Sequence, residues 1–212
     1  MCVILVCPKG VRPNAETLLA CERANPHGAG VAWREKDGRI GWIKNLCADE
    51  VGQMLAEVEG EAVVHFRWAS VGGEDPLLCH PFPVSGRAEA KIYGTARKVL
   101  FHNGTWVRWE EGLERMLRLG RCGEPPGPMS DTRAAALAVR CFGPDFLKTL
   151  PGRWALLDAD RTRLFGDWVR WHGMMVSNTA FVRRAGPART TRRYGRCDDG
   201  PREQLSLWEG DA

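Results

Sequence analysis

Residues 1–10 read "MCVILVCPKG", and the second letter decides the fold. A start methionine followed by a residue as small as cysteine is ordinarily removed. Cys2 would then be the first residue, with a thiol and a free α-amine side by side. Behind it, "CVILV" is a short apolar run closed by Cys7 and Pro8, which reads as a buried strand. Free cysteine also packs as a small hydrophobe. Position alone therefore leaves Cys2 between a core residue and a nucleophile, and the rest of the chain has to separate the two.

The 212 residues are 44% hydrophobic, enough for one sizeable core and too few for two ordinary domains. The apolar run after Met1 is too short to cross a bilayer and has no basic flank, so the chain reads as soluble and cytoplasmic, with no membrane partner. The 8 cysteines contain no C-x-x-C pair and no dense disulfide spacing. That pattern fits free thiols in a reducing compartment, with no zinc. A net charge of +4 is mild, and arginines 183, 184, 189, 192, 193 and 196 carry much of it, so charge gives no argument for direct nucleic-acid binding.

"AETLLACERA" predicts a helix and "GAGVAWREKDGRIGWIK" a hairpin turning at Asp37-Gly38. "DEVGQMLAEV" reads as a second helix capped by Asp49, and "EAVVHFRWA" as a strand with polar residues at its far end. "RKVLFHNGTWVRW" suggests two strands broken at Asn103-Gly104. Helices follow at "EEGLERMLRLG" and "SDTRAAALAVRCF", the second capped by Ser130 or Asp131. Residues 152–182 alternate apolar runs with turn signals, as consecutive antiparallel strands do. The sum is a mixed α and β domain of sheets covered by helices.

Four stretches in order carry the chemistry: "MC" at the start, "HFRWASVGG" at 65–73, "FHNGT" at 101–105 and "SDT" at 130–132. Together with "NPHGAGVAW" at 25–33 and "CHPF" at 79–82, the set resembles the glutaminase domain of class II glutamine amidotransferases, an N-terminal-nucleophile hydrolase family. The resemblance covers residues 2–182. It implies an α+β fold, a four-layer αββα sandwich of the N-terminal-nucleophile hydrolase type, with no cofactor and no metal.

Elementary chemistry gives the parts of this set a reason. Amide hydrolysis needs a nucleophile and a base, and an N-terminal cysteine supplies both, since its amine and thiol ordinarily titrate near ~8 and ~8.5. The resemblance implies that Cys2 Sγ attacks the glutamine γ-carboxamide. Its amine passes the proton to departing ammonia, and water then cleaves a γ-glutamyl thioester. Asn103 and Gly104 match the donors that hold the oxyanion, although "NG" equally marks a type I′ hairpin turn. Arg67 and Asp131 match the residues that take the substrate's α-carboxylate and α-ammonium, with Ser70 assisting Arg67 and Trp68 adding backbone contacts. The plain alternatives are a surface arginine beyond a strand and a helix-capping aspartate. Asn25, His27, Gly28 and His80 match positions that shape the site.

Two letters depart from the family pattern. His27 stands where an acid is common, and Cys79 stands where asparagine usually precedes the histidine-proline pair. His65, His80 and His102 have no metal-ligand spacing and are expected to be structural.

Residues 183–212 read as an arginine-rich, flexible tail. Within it Gln204, Leu205, Leu207 and Trp208 resemble the peptides that dock into bacterial sliding clamps. The expected reading is a stand-alone glutaminase whose ammonia goes to a separate synthetase or transferase. The alternatives are an amidohydrolase of the same fold acting on another amide or γ-glutamyl compound, and a non-catalytic module tethered to a sliding clamp.

Overall fold

A computed structural model describes residues 2–184. The apolar run behind Cys2 forms β1 (Val3–Cys7). Helix α1 (Ala15–Ala24) starts where the Asn14 side chain accepts from the Thr17 N–H. The expected hairpin is β2 (Ala29–Arg34) and β3 (Ile40–Leu46), with Gly38 at φ 81° in the turn, a conformation that glycine adopts without a Cβ clash. Helix α2 (Ala48–Glu57) and β4 (Ala62–Phe66) follow, then two short strands, β5 (Phe82–Pro83) and β6 (Tyr93–Ala96). Next come β7 (Lys98–Asn103), α3 (Trp109–Arg118) and α4 (Asp131–Phe142). The predicted strand run is β8 (Arg153–Asp158), β9 (Thr162–Phe165), β10 (Val169–Trp171) and β11 (Met174–Val176), and α5 (Ala180–Arg184) closes the described residues.

The strands form two antiparallel sheets, ordered β10-β11-β1-β4-β2-β3-β6 and β5-β7-β8-β9. Side chains alternate along a strand, and β1 uses that period to feed two cores. Val3, Leu5 and Cys7 pack toward α1 and α2 beside Leu18, Val51 and Leu55, while Ile4 and Val6 face the other sheet with Val99, Phe101 and Leu157. A third core joins Leu100, Trp154 and Leu156 to Ala134, Leu137 and Ala138 of α4. Helices, sheet, sheet, helices is the four-layer αββα order. It also explains why "CVILV" carries no polar alternation: both faces of β1 are buried.

The structure corrects two local expectations and sharpens two others. Asp49 does not cap α2; it lies in the first turn, and Cys47 is the cap, its N–H donating to the Glu50 carboxylate at 2.8 Å. No second strand follows Asn103-Gly104. The Trp106 N–H is bound to Asp131 Oδ2 at 2.9 Å, its indole lies in the α4 core, and the chain goes straight into α3. Ser130, accepting from the Arg133 N–H, is the cap of α4, so Asp131 is its first helical residue and its carboxylate serves elsewhere. The strands of 152–182 are consecutive but split, with β8 and β9 in one sheet and β10 and β11 in the other.

Gly30 in β2 lies against the segment leading into β5, where a Cβ would stand 1.8 Å from the His80 carbonyl oxygen. Gly30→Ala is expected to lower stability by about 1–3 kcal/mol through overpacking, read as a shift of the urea midpoint at unchanged slope. The tail, with Gln204, Leu205, Leu207 and Trp208, lies outside the described residues. Among the described residues no helix is long and apolar enough to cross a membrane.

Candidate functional site

One pocket gathers Cys2, Arg67, Trp68, Ser70, His80, Gly104 and Asp131, drawn from segments up to 129 residues apart. Antiparallel pairing of β1 with β4 does the first part of this work. It sets Val3 opposite Phe66, so Cys2 just before one strand meets Arg67 and Trp68 just after the other. The Trp68 N–H lies 3.3 Å from Cys2 Sγ, and the thiol in turn donates to the Trp68 carbonyl at 3.4 Å. Asn178 Nδ2 donates to the Cys2 carbonyl at 2.9 Å and fixes the Cys2 backbone from the other side. Burial pushes the Cys2 thiol up, against the opposing pull of the Trp68 N–H and the Arg67 guanidinium. A thiol so raised is protonated at neutral pH and needs a base to become a nucleophile.

Arg67 is 4% exposed. Nη2 donates to the Val71 carbonyl at 3.0 Å, while the buried Nη1 has no partner. A buried guanidinium with an unused donor on the wall of a pocket is suited to a carboxylate. Asp131, 6% exposed, is held by the Trp106 N–H at 2.9 Å and the Thr132 N–H at 2.8 Å, with His102 Nδ1 at 3.5 Å. Burial alone would raise its carboxyl, but the His102 contact and the two backbone N–H bonds hold it below the usual carboxylate range. The pocket therefore sets a fixed anion and a fixed cation beside one thiol.

The histidines form a chain of contacts behind this anion. His65 Nε2 meets His80 Nδ1 at 2.7 Å, His80 Nε2 meets Thr132 Oγ1 at 2.9 Å, and Thr132 Oγ1 meets His102 Nδ1 at 3.3 Å. Trp154 stacks on His102 with centroids 3.6 Å apart. Burial drives His65 and His80 well below the ordinary histidine range, so both are neutral hydrogen-bond relays. Among the described residues no group of three or more His, Cys, Asp or Glu is placed to hold a metal ion.

Four expected site residues lie outside the pocket lining. Asn103 is buried behind Gly104, with Nδ2 donating to Ser177 Oγ at 2.8 Å and Oδ1 unpartnered. A primary amide has two N–H bonds, so one remains beyond the Ser177 contact. Asn25 closes α1 through its bonds to the Cys21 carbonyl, and His27 and Gly28 form a shelf under the Arg67 segment: the His27 N–H donates to the Arg67 carbonyl at 3.1 Å and the Arg67 N–H to the Gly28 carbonyl at 2.9 Å. The two departing letters touch, since Cys79 Sγ donates to the His27 carbonyl at 3.3 Å. Sequence reasoning missed Val71 and Leu78 in the wall, and Ser177 and Asn178 as anchors. No spacing marked any of them.

It also missed Lys44, 1% exposed, which donates to the Leu77 carbonyl at 2.9 Å beside the pocket wall and lies 4.3 Å from the Phe82 ring. Burial brings this ammonium down to about 7, with Arg133 and Arg67 adding to the effect against the opposing Cys79 thiol. An unfolded lysine keeps its proton to about 10.4. Between those values the unfolded chain binds the extra proton, so stability rises with pH across that window, and the cost is present in full below it. Lys44→Met is expected to remove this rise. In urea titrations from pH 7 to 10 the wild type should gain on the variant by up to about 1.4 kcal/mol per pH unit.

A solved glutamine phosphoribosylpyrophosphate (PRPP) amidotransferase from B. subtilis, complexed with ADP and GMP, is similar at a TM-score of 0.56 and 18% identity, over 86% of this chain and 43% of its own. A second structure, described as the allosteric regulatory enzyme of purine biosynthesis, aligns at a TM-score of 0.47 and 21% identity, over 77% of this chain and 35% of its own. The chain thus spans less than half the length of either structure. The first likeness, with the layer order above, shows the fold as an α+β, four-layer αββα sandwich. No family model and no curated protein matches the chain.

Proposed function

We propose that the chain is a class II glutamine amidotransferase domain that hydrolyses the side-chain amide of glutamine through Cys2 and releases glutamate and ammonia. The observation that carries this is the pairing of the unused Arg67 Nη1 and the Asp131 carboxylate in one pocket with Cys2. A free α-amino acid presents one carboxylate and one ammonium, and these two side chains answer both.

The mechanism follows from that placement. Arg67, with Ser70 beside it, holds the α-carboxylate and Asp131 holds the α-ammonium, so the γ-carboxamide is directed at Cys2. After loss of Met1 the Cys2 amine accepts the thiol proton as sulfur bonds to the carbonyl carbon. The tetrahedral oxyanion is met by the Gly104 N–H and the second amide hydrogen of Asn103. Collapse expels ammonia with the proton returned by the amine, leaving a γ-glutamyl thioester that water cleaves to glutamate and the free thiol. Ammonia passes to a separate enzyme that consumes it, and the segment around Gln204–Trp208 is a proposed tether to a sliding clamp.

Purified protein incubated with glutamine, asparagine and γ-glutamyl amides tests the reading by release of amino acid and amine. Glutamate and ammonia in equal amounts from glutamine, with asparagine inert, are expected. Release only from substituted γ-glutamyl amides would move the assignment to the second reading.

A further inference from the structure

A single peptide unit connects His27 to the nucleophile. The Trp68 carbonyl accepts from the Cys2 thiol at 3.4 Å, and the N–H of the same peptide, on Ala69, donates to His27 Nδ1 at 2.9 Å. A ring nitrogen that accepts from a backbone N–H carries no proton. The imidazole proton therefore sits on Nε2, 3.2 Å from Glu74 Oε1, to which it donates. The ring has little freedom to turn away. Its backbone is hydrogen-bonded to Arg67 and Cys79, its side chain is 16% exposed, and the Trp68 ring lies 5.3 Å off.

We propose that His27 is a positioning residue whose neutral, Nε2-protonated ring holds the Trp68–Ala69 peptide, and through it the sulfur of Cys2, and that this hold is lost when the ring takes up a second proton. Protonation would set Nδ1–H against the Ala69 N–H, two donors facing across 2.9 Å. The peptide must then rotate or withdraw, taking the Trp68 groups away from the thiol. The titratable and charged groups about the ring are Glu74, which it touches, and Arg67, Cys2 and Cys79 on the adjoining segments. Burial keeps both thiols neutral. The physical consequence is that the neutral ring is the one fitted to an active site.

The proposal rests on Cys2 being the nucleophile, and its test has one arm that needs turnover and one that does not. In kcat/KM against pH, protonation of the Cys2 amine removes activity with a slope of one in log units below about pH 8. Loss of the His27 hold on the Trp68–Ala69 peptide adds a second unit of slope to that of the amine. His27→Asn keeps an oxygen where Nδ1 accepts and has no proton to gain. It is expected to show a slope of one throughout, and His27→Asp serves as a second variant with the same acceptor. A slope of two surviving in both variants would overturn the proposal.

The second arm is the 15N–1H signal of the Ala69 amide in the wild-type protein. It is expected to move with pH in the wild type and to stand still in His27→Asn. A stationary wild-type signal would overturn the proposal whatever the turnover. A titrating signal in a protein without glutaminase activity would support the hold on the peptide and place the fault with the assigned substrate.

Discussion

Replacing Cys2 with alanine is expected to abolish glutamate release from glutamine, with a fall in kcat on the order of 10⁴-fold or more, the loss typical when a covalent nucleophile is removed. The pocket offers no substitute. Cys79 is buried, with its thiol pushed up to about 11 and donating to the His27 carbonyl. His65 and His80 are committed to each other and to Thr132. Cys2→Ser keeps the terminal amine and the small side chain but offers a far weaker nucleophile, so it should lie close to the alanine variant. Among the described residues the Cys2 side chain hydrogen-bonds only to Trp68, so neither change should move the thermal midpoint by more than about a degree or two. Retention of a tenth of wild-type turnover in both variants would remove Cys2 from the chemistry.

Arg67→Met should raise KM for glutamine by about 10²–10³-fold while changing kcat much less. Removing one partner of a buried charge-assisted pair ordinarily costs about 2–5 kcal/mol, and each 1.4 kcal/mol is a tenfold change. The effect is large because Nη1 is desolvated before substrate arrives and has nothing else to bond. The guanidinium also donates to the Val71 carbonyl, so a purely structural loss would affect every substrate alike. An amide substrate lacking the α-carboxylate separates the two effects. It should be turned over equally poorly by wild type and Arg67→Met if the contact is to the carboxylate, and much worse by the variant if Arg67 only braces the loop.

Much of this architecture is legible in the letters because its signals are local. "AETLLACERA" gave its helix to the residue, and the Asp37-Gly38 turn and the apolar "CVILV" lie where period and turn chemistry put them. The site was legible for the same reason. Cys2, Arg67, Gly104 and Asp131 sit at element ends, where a thiol, a cation and an anion stand out from their flanks. What failed depends on tertiary contacts. "NG" signals a hairpin only if a second strand has a neighbour to pair with, and the bond from the Trp106 N–H to Asp131 takes that segment away. Lys44 lies in a strand where a lysine would ordinarily face water. It is buried because β3 is paired on both sides and faces Leu77 and Phe82. His27 was readable as a departure from a pattern, yet its link to Cys2 runs through the Trp68–Ala69 peptide, which no one-dimensional spacing encodes.

The central claim is covalent chemistry at an N-terminal Cys2, and intact mass of the protein quenched with acid during turnover of glutamine tests it most directly. The account predicts a mature chain without Met1, carrying one glutamyl group that maps to the Cys2 peptide and is released by hydroxylamine. A chain that turns over glutamine while retaining Met1, or that carries its adduct on any other residue, would contradict it.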